Sequence, residues 1–248
     1  MRTKISVVII TKNEENNIGR CLESVKWADE IVIVDSGSTD RTLEICQQYN
    51  CKIIETEWLG FGKTKQLAVA NATNNLILSI DSDEELSPEL QDEIRNKLYT
   101  SSFSSAYKIK RLSYYAGKPI HYSDWQNDYP LRIFNKQFGN FNSKTVHEGI
   151  KTWQPVKKLK NIMHHHTYPT IATHFDKMRT YGELSAKEKH LAGKTSNPIS
   201  AGIRAALKFL KMYVIRGGFL DGVEGFLLCK NSAWGVWYKY HRLWELSR

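Results

Sequence analysis

Short apolar runs alternate with helical patterns along the first hundred residues. Residues 5–10 and 31–34 are rich in valine and isoleucine, which is typical of strands covered on both faces of a parallel sheet. Between these runs, apolar residues recur every three or four positions, as in a helix that packs one face on the sheet. The same alternation continues through residues 51–57, 63–72, 76–81 and 87–99. The pattern predicts a doubly wound α/β unit.

Polar and mostly acidic residues follow the predicted strands. Thr11, Asn13 and Glu14 follow the first strand, Asp35 and Ser36 the second, and Asp81 and Asp83 the fourth. Sheets of this kind bind ligands beyond the carboxyl ends of their strands. An Asp-x-Asp at such an end is suited to hold a divalent cation between the protein and a diphosphate. The arrangement therefore predicts a nucleotide-sugar enzyme.

The sequence lacks the motifs of two other kinds of nucleotide-binding site. The first strand is not followed by the Gly-x-Gly-x-x-Gly of a dinucleotide site, and the one partial match to a phosphate loop, at residues 62–64, has Glu57 in place of its first glycine. The four cysteines lack metal-ligand spacing, which favours a reducing compartment. The early apolar run is too short for a signal peptide, so we expect a cytoplasmic protein.

The net charge of +9 is concentrated in the second part of the chain. Residues 1–150 hold 18 Lys+Arg and 20 Asp+Glu, whereas residues 151–248 hold 17 and 6. From residue 199 onward, aliphatic residues recur at helical spacing beside Arg204, Lys208 and Lys211, and tryptophan and tyrosine follow. This pattern predicts a basic amphipathic helix at an anionic membrane surface. Docking of the same apolar residues on the catalytic domain is the alternative.

Three motifs together resemble the glycosyltransferases of family 2, which have the GT-A fold. They are VVIITKNE at residues 7–14, VDSGSTD at 34–40 and DSDE at 81–84. Later segments are similar to the subgroup that adds glucose to the inner core of bacterial lipooligosaccharide: WxxD at 125–128, LRIF at 131–134, VHE at 146–148, HTY at 166–168 and FLDGxxGF at 219–226. The resemblance implies a Rossmann-like, mostly parallel sheet in a catalytic domain of residues 1–168, with a helical extension at 169–248.

The resemblance also implies roles in binding the donor. Thr11, Asn13 and Glu14 would line the nucleobase and ribose pocket, Asp35 would hydrogen-bond with uracil, and Ser36 would also contact the nucleotide-sugar. Asn13 and Glu14 fit simple helix capping as well. Lys65 resembles a basic position that faces the diphosphate, although an exposed helix lysine is an equal alternative. All of these donor-binding roles are predictions from the resemblance to the family.

Metal and catalytic roles follow from the same resemblance. Asp83 would bind Mg²⁺ or Mn²⁺ directly and Asp81 would contact ribose or a metal-bound water, while Glu84 and Glu85 are interpreted as solvated acids without a catalytic role. Of the three histidines at 164–166, His165 is the favoured metal ligand. Glu148 is the favoured base.

Asp128 is the alternative candidate for the base. If it is not the base, it is interpreted as a loop acid paired with Arg132. On the acceptor side, Trp125 could stack on a sugar and Arg132 could hold a phosphate or acid. The implied reaction is an inverting transfer of a hexose, with glucose favoured, from a UDP-sugar to a heptose of a lipid-linked core oligosaccharide. The enzyme would work at the inner face of the bacterial inner membrane.

Two other functions remain open at this point. Sugar transfer to a polyprenyl phosphate or another surface glycan would use a similar fold. A nucleic-acid-binding protein would suit the calculated pI near 9.2 and the interleaved aromatic residues. The nucleic-acid-binding hypothesis leaves the acidic strand ends unexplained, because carboxylates repel phosphates. We therefore expect no nucleic-acid partner.

Overall fold

A computed structural model describes residues 2–100, 104–143 and 148–248. The chain forms two compact units, and each is continuous in space but not in sequence. The first comprises Met1–Arg111 with Asp128–His165, and the second comprises Leu112–Asn127 with His166–Arg248. Sixteen residues before Asp128 therefore belong with the C-terminal region. The boundary that the sequence suggests, between a domain of residues 1–168 and one of residues 169–248, remains a prediction.

Strands and helices alternate through the first hundred residues, as the apolar pattern predicts. The order is β1 Ile5–Thr11, α1 Ile18–Val25, β2 Glu30–Asp35, α2 Thr42–Gln47, β3 Lys52–Glu55, α3 Phe61–Asn71, β4 Leu76–Ser79, β5 Glu84–Leu86 and α4 Pro88–Thr100. The later strands are β6 Ala106–Tyr115, β7 Lys118–Pro119, β8 Leu131–Asn135, β9 Gly139–Phe141, β10 Ile150–Thr152 and β11 Val156–Tyr168.

One sheet runs in the order β3-β2-β1-β4-β8-β6-β11-β5. The pairs β1–β2, β1–β4 and β2–β3 are parallel, whereas β8 pairs antiparallel with both β4 and β6. The carboxyl ends of β1 to β4 consequently meet at a single edge of the sheet, and β8 returns from that edge. The predicted α/β class is confirmed.

The core of the first unit lies on both faces of this sheet. Every side chain of β1 is buried, and the apolar ones are divided between two apolar clusters. Ile5, Val7 and Ile9 pack with residues of α1 and α4, while Val8 and Ile10 pack with residues of α3. Burial on both faces explains why the strand reads as a continuous apolar run and not as an alternating one.

The second unit is mainly helical. Its helices are α5 Ile171–Leu191, α6 Pro198–Leu210 and α7 Gly222–Leu246, and α6 continues into a π-helical turn, Lys211–Ile215, followed by a 3₁₀ turn, Gly218–Asp221. Asn197 caps α6 by accepting a hydrogen bond from the Ser200 backbone. The predicted helical extension is confirmed. Among the described residues, no helix is both long and apolar enough to cross a bilayer.

Glycines allow the chain to turn tightly between α6 and α7. A Cβ added at Gly225 would lie 2.1 Å from the carbonyl oxygen of Gly218, and one at Gly218 would lie 2.7 Å from Cys229 Sγ. Asp221, in the same turn, accepts hydrogen bonds from the backbone nitrogens of His121 and Tyr122. The FLDGxxGF motif is thus a packing motif that binds the 112–127 segment to the C-terminal helices.

Candidate functional site

The loops that follow β1 and β2 are joined by hydrogen bonds to Asp35 and Asn13. Asp35 is fully buried, and its carboxylate accepts from the backbone nitrogens of Gly37 and Ser38 at 2.9 and 2.8 Å and from Ser38 Oγ at 2.5 Å. Asn13 adopts a left-handed φ of 53°, and its Oδ1 accepts from Thr39 N at 2.7 Å. Most of the hydrogen-bonding capacity of Asp35 therefore holds its own loop, and the predicted uracil contact stays a prediction.

Two hydroxyl groups beside Asp35 have no hydrogen-bond partner among the described residues. Thr11 and Asp35 are paired across β1 and β2, and Ser36 N donates to Thr11 O at 3.0 Å. Thr11 Oγ1 and Ser36 Oγ are both buried, and neither forms a hydrogen bond within the described ranges. A buried polar group without a partner costs about 1–3 kcal/mol. Such groups at the carboxyl edge of a sheet suit the binding of a polar ligand.

Glu14 lies in the loop before α1. Its backbone nitrogen donates to Thr42 Oγ1 at 2.8 Å, and its carboxylate accepts from Asn17 Nδ2 at 2.8 Å. These contacts are those of a loop and helix-start residue. The N-cap residue of α1, Asn17, has no side-chain cap hydrogen bond, so the capping alternative and the role of Glu14 in binding a nucleotide both remain predictions.

Charged side chains form a continuous chain of ion pairs at the same edge. Lys65 Nζ contacts Glu148 Oε1 and Asp81 Oδ1, both at 2.7 Å, and Arg132 Nη2 contacts Asp81 Oδ2, also at 2.7 Å. Arg132 also binds Glu84, the next acid in the series. Basic and acidic groups alternate throughout, so each buried charge has an opposite neighbour.

The series ends at Asp128. Arg111 Nη1 contacts Glu84 at 3.0 Å, and Arg111 Nη2 contacts Asp128 Oδ2 at 2.6 Å. The order is therefore Glu148, Lys65, Asp81, Arg132, Glu84, Arg111 and Asp128. The two candidate bases, Glu148 and Asp128, stand at the opposite ends of one network of four acids and three cations.

The network controls the ionisation of its central members. Burial by itself would raise the pKa of Asp81, but the charges and hydrogen bonds of Arg132 and Lys65 outweigh burial and hold that pKa well below its usual range. Burial would lower the pKa of Arg132, yet the carboxylates of Asp81 and Glu84 raise it. The two cations therefore favour the charged form of Asp81.

Asp83 and His165 lie beside this network. The antiparallel pairing of β5 with β11 sets His165 opposite Glu84, and His165 Nε2 lies 3.3 Å from Asp83 Oδ2. His166, one residue further along β11, stacks on Tyr114 with ring centroids 4.8 Å apart. Neighbouring strand residues face opposite sides of a sheet, and His165 is the histidine that meets the Asp-x-Asp.

The pair offers one carboxylate oxygen and one imidazole nitrogen to a divalent cation. In the part of the chain that the structure describes, no cluster of three or more His, Cys, Asp or Glu side chains could hold a metal ion. Both oxygens of Asp81 are already bound by Lys65 and Arg132. Mg²⁺ usually takes one or two protein carboxylates and fills its shell with phosphates and water. Asp83 and His165 fit such a partial site.

Three sequence interpretations need correction. Lys65 is not an exposed helix lysine, since its side chain is 4% exposed between two acids. Asp128 pairs with Arg111 and not with Arg132. Glu84 is not a solvated acid, because its side chain is fully buried between two guanidinium groups. In each case the partner comes from a distant segment, and local patterns carry no sign of it.

The remaining predicted residues have separate positions. Arg132 binds Asp81 and Glu84, so its acceptor-side role stays a prediction. Trp125 belongs to the second unit and stacks on Tyr168 with centroids 6.1 Å apart. Of the VHE motif, Glu148 is described, whereas Val146 and His147 lie outside the described residues.

Sequence reasoning missed Arg111 and the importance of Glu84. Arg111 stands in a basic and aromatic strand, and nothing in that pattern distinguishes it from Lys108 or Lys110. The excess of acids at 81–85 was the one usable signal, because a buried acidic cluster requires cations.

Comparison with known proteins identifies the family of the chain. The profile of glycosyl transferase family 2 matches residues 6–155. An uncharacterized glycosyltransferase of Rickettsia typhi is 33% identical over 98% of this chain and 88% of its own length. The lipopolysaccharide core biosynthesis glycosyltransferase LpsC of Rhizobium meliloti is 28% identical over 92% of this chain and 87% of its own.

The chain also matches a solved structure. The crystal structure of Staphylococcus aureus TarS residues 1–349 in complex with UDP has a TM-score of 0.49 and 19% identity, and the match covers 89% of this chain and 75% of that one. The family match covers more than half of the chain, and the Rickettsia relative aligns along almost all of it. The chain therefore belongs to glycosyltransferase family 2 and has the GT-A fold.

Proposed function

We propose that this enzyme transfers a hexose, with inversion, from a UDP-sugar to a heptose of the lipopolysaccharide inner core. The observation that carries the proposal is the contact of Lys65 with both Asp81 and Glu148 at the carboxyl edge of the sheet. It joins the first acid of the Asp-x-Asp to the candidate base. The similarity to LpsC, whose name refers to the lipopolysaccharide core, supports the acceptor class.

The donor nucleotide would bind at the ends of β1 and β2. The unpartnered hydroxyls of Thr11 and Ser36 would hydrogen-bond with the nucleoside. The loops that carry Asn13 and Glu14 are already tied to the loop after β2, so this pocket is largely organised before the donor arrives. Preorganisation lowers the entropic cost of binding.

The diphosphate would lie beside Asp83 and His165. These two side chains would hold Mg²⁺ or Mn²⁺, and the cation would supply positive charge to the departing diphosphate. Lys65 adds a fixed positive charge close by. It also keeps Asp81 and Glu148 in defined positions, because one ammonium group binds both carboxylates.

Glu148 is proposed as the base. Its carboxylate would take the proton of the acceptor hydroxyl while the acceptor oxygen forms a bond to the anomeric carbon of the donor. The bond between that carbon and the diphosphate oxygen breaks in the same step, and UDP departs with the electron pair. Asp128 is the rival, but both of its contacting guanidinium nitrogens belong to Arg111 and tie it to the far end of the network.

The acceptor would be lipid-linked, which puts the reaction at the cytoplasmic face of the inner membrane. Trp125 is proposed as a stacking surface for an acceptor sugar. It has the amphipathic aromatic character that sugar faces favour, and Tyr168 supports one side of it. Arg132 is proposed to act on the acceptor side only indirectly, through Asp81 and Glu84.

The test combines binding and transfer. UDP-glucose and other UDP-sugars are titrated calorimetrically with Mg²⁺, with Mn²⁺ and with a chelator, and transfer is measured with heptose-containing core oligosaccharide. We expect metal-dependent binding that Asp83→Ala abolishes, and we expect Glu148→Gln to retain binding but lose transfer. Asp128→Asn is the matched control, which should retain transfer.

Several outcomes would change the proposal. Full transfer by Glu148→Gln with loss in Asp128→Asn would move the base to Asp128. Turnover of a polyprenyl phosphate in place of the heptose acceptor would change the acceptor class. Binding of UDP-sugars that is equally strong in the chelator would remove the metal from the proposal.

A further inference from the structure

The outer face of α6 and of the turns that follow it is aliphatic and exposed. Five residues, Ile199, Ile203, Leu207, Leu210 and Val214, are between 50% and 78% exposed. Successive α-helical residues are about 100° apart, so the four of these side chains that belong to α6 fall within a sector about 80° wide, and Val214 follows in the π-helical turn. They form one continuous stripe along the helix.

This stripe faces away from the core of the second unit. The buried residues of the same segment are Ala201 and Met212, and Met212 packs in a cluster with Leu228 and Cys229 of α7. On a helical wheel they lie roughly opposite the aliphatic stripe. A helix on the surface of a soluble protein normally has polar residues at such positions, whereas here the outward face is apolar.

The exposed apolar surface continues beyond α6. Ile215, Phe219, Leu220, Val223 and Phe226 are between 41% and 75% exposed. We name the complete set, from Ile199 to Phe226, the aliphatic face. Contiguous apolar patches of this kind on monomeric proteins mark an interaction surface.

Positive charge borders the aliphatic face. Arg204, Lys211, Arg216 and Lys230 are exposed. Asp124 lies among three cations, with Lys211 Nζ and Arg216 Nε at 3.0 Å and Lys208 Nζ at 3.5 Å. A single carboxylate therefore leaves this group with an excess of two positive charges.

The two acids of the same segment are bound by other groups of the second unit. Asp221 accepts hydrogen bonds from the backbone of His121 and Tyr122, and Glu224 pairs with Lys118 at 2.8 Å. Neither acid neutralises the exposed cations. The border of the aliphatic face is consequently positive.

We infer that the aliphatic face inserts into the headgroup region of a bilayer rich in anionic phospholipid. An apolar stripe bordered by exposed cations is the arrangement of a helix that lies in the plane of a membrane interface. This inference deepens the proposed function, since it assigns the membrane-contact surface of an enzyme with a lipid-linked acceptor, but it concerns binding and not transfer.

Charge favours anionic phospholipid over two other candidates for binding the aliphatic face, a second copy of this chain and a nucleic acid. In a symmetric dimer the same patch would meet itself and bring like charges together, which opposes association. Single-stranded nucleic acid would need aromatic surfaces for base stacking, whereas most of the exposed side chains of this face are aliphatic. A duplex would engage the cations through its phosphates and leave the apolar side chains without a partner. Anionic phospholipid satisfies both the apolar and the basic components.

Vesicle binding by the full chain tests the inference. The protein is sedimented with phosphatidylcholine vesicles, with and without about one-third phosphatidylglycerol, at about 0.05 and about 0.5 M salt. We expect binding to the anionic vesicles that weakens at the higher salt. The double variant Ile203→Ser/Leu207→Ser should bind about tenfold more weakly.

Two further double variants serve as controls. Leu184→Ser/Leu191→Ser removes two exposed leucines of α5, outside the aliphatic face, and should bind vesicles as the unmodified chain does. Arg204→Gln/Lys230→Gln should reduce the preference for anionic vesicles but leave the contact of the aliphatic face with the bilayer unchanged. Because all the altered side chains are exposed, urea midpoints should remain close to that of the unmodified chain and show that each variant is folded.

Two results would overturn the inference. One is equal vesicle binding by Ile203→Ser/Leu207→Ser and the unmodified chain. The other is a dimer in light scattering that dissociates in this variant while vesicles are not bound, which would make the face a contact between two copies. Vesicle binding needs neither donor nor acceptor, so it can fail while transfer to the core oligosaccharide succeeds, or the reverse.

Discussion

Replacement of Glu84 by glutamine tests whether the chain of ion pairs is a structural requirement. Glu84 Oε1 accepts from Arg132 Nη2 and from Arg111 Nη1, and Glu84 Oε2 accepts from Asp81 N at 2.9 Å. All three partners are donors. A glutamine amide can present only one oxygen, so in either orientation its NH₂ group would face a donor.

The expected loss of stability follows from this geometry. Glu84 is fully buried, and removal of one member of a buried ion pair costs about 3–5 kcal/mol. We expect about 3 kcal/mol for Glu84→Gln, because the amide oxygen retains part of the hydrogen bonding. With a urea m-value of about 2 kcal/mol/M, the unfolding midpoint would fall by about 1.5 M.

Glu85→Gln is the matched control. Glu85 is the next residue, its side chain is 32% exposed, and Arg20 lies 3.6 Å from it. An exposed pair of this kind contributes less than about 1 kcal/mol. Urea unfolding followed by circular dichroism at neutral pH gives both values. If Glu84→Gln were no less stable than Glu85→Gln, the network would have no stabilising role and our reading of the site would be refuted.

Three other changes have defined outcomes. His174 is buried, and its pKa is lowered to about 4, by burial first and then by the charge of Lys177. The contribution of the neutral imidazole to stability is therefore complete above about pH 6.5 and is lost as the pH falls towards 4. Between pH 7.5 and 5 urea titrations should show a loss of about 2 kcal/mol that His174→Gln removes and His190→Gln does not. Gly225→Ala should lower the thermal midpoint strongly, at a cost of about 3 kcal/mol, while the helical control Gly202→Ala, where a Cβ meets nothing within 4 Å, should leave it equal or higher. Thr11→Val should not destabilise the fold, since the Thr11 hydroxyl has no hydrogen-bond partner in the described part of the chain, but should weaken UDP binding in calorimetry about tenfold; unchanged binding would place the nucleotide elsewhere.

Local patterns were sufficient for the elements and for part of the site. The strand ends identify Asp81 and Asp83, and the histidine run contains the residue that meets Asp83. The pairing of β5 with β11 then sets His165 opposite Glu84 and His164 opposite Glu85, and His165 is the histidine whose Nε2 lies 3.3 Å from Asp83 Oδ2. That pairing joins segments about eighty residues apart, and a sequence pattern does not contain it.

By itself the sequence determined the α/β order, the carboxyl-edge acids and the family, because apolar periodicity and short motifs are local properties of the chain. Only the tertiary structure decided that Lys65 and Glu84 are buried, that Arg111 and not Arg132 holds Asp128, and that the aliphatic stripe of α6 faces outward. The physical reason is the same in each case. Periodicity shows that a helix or strand has an apolar side, whereas burial and charge pairing depend on which distant segment packs against it.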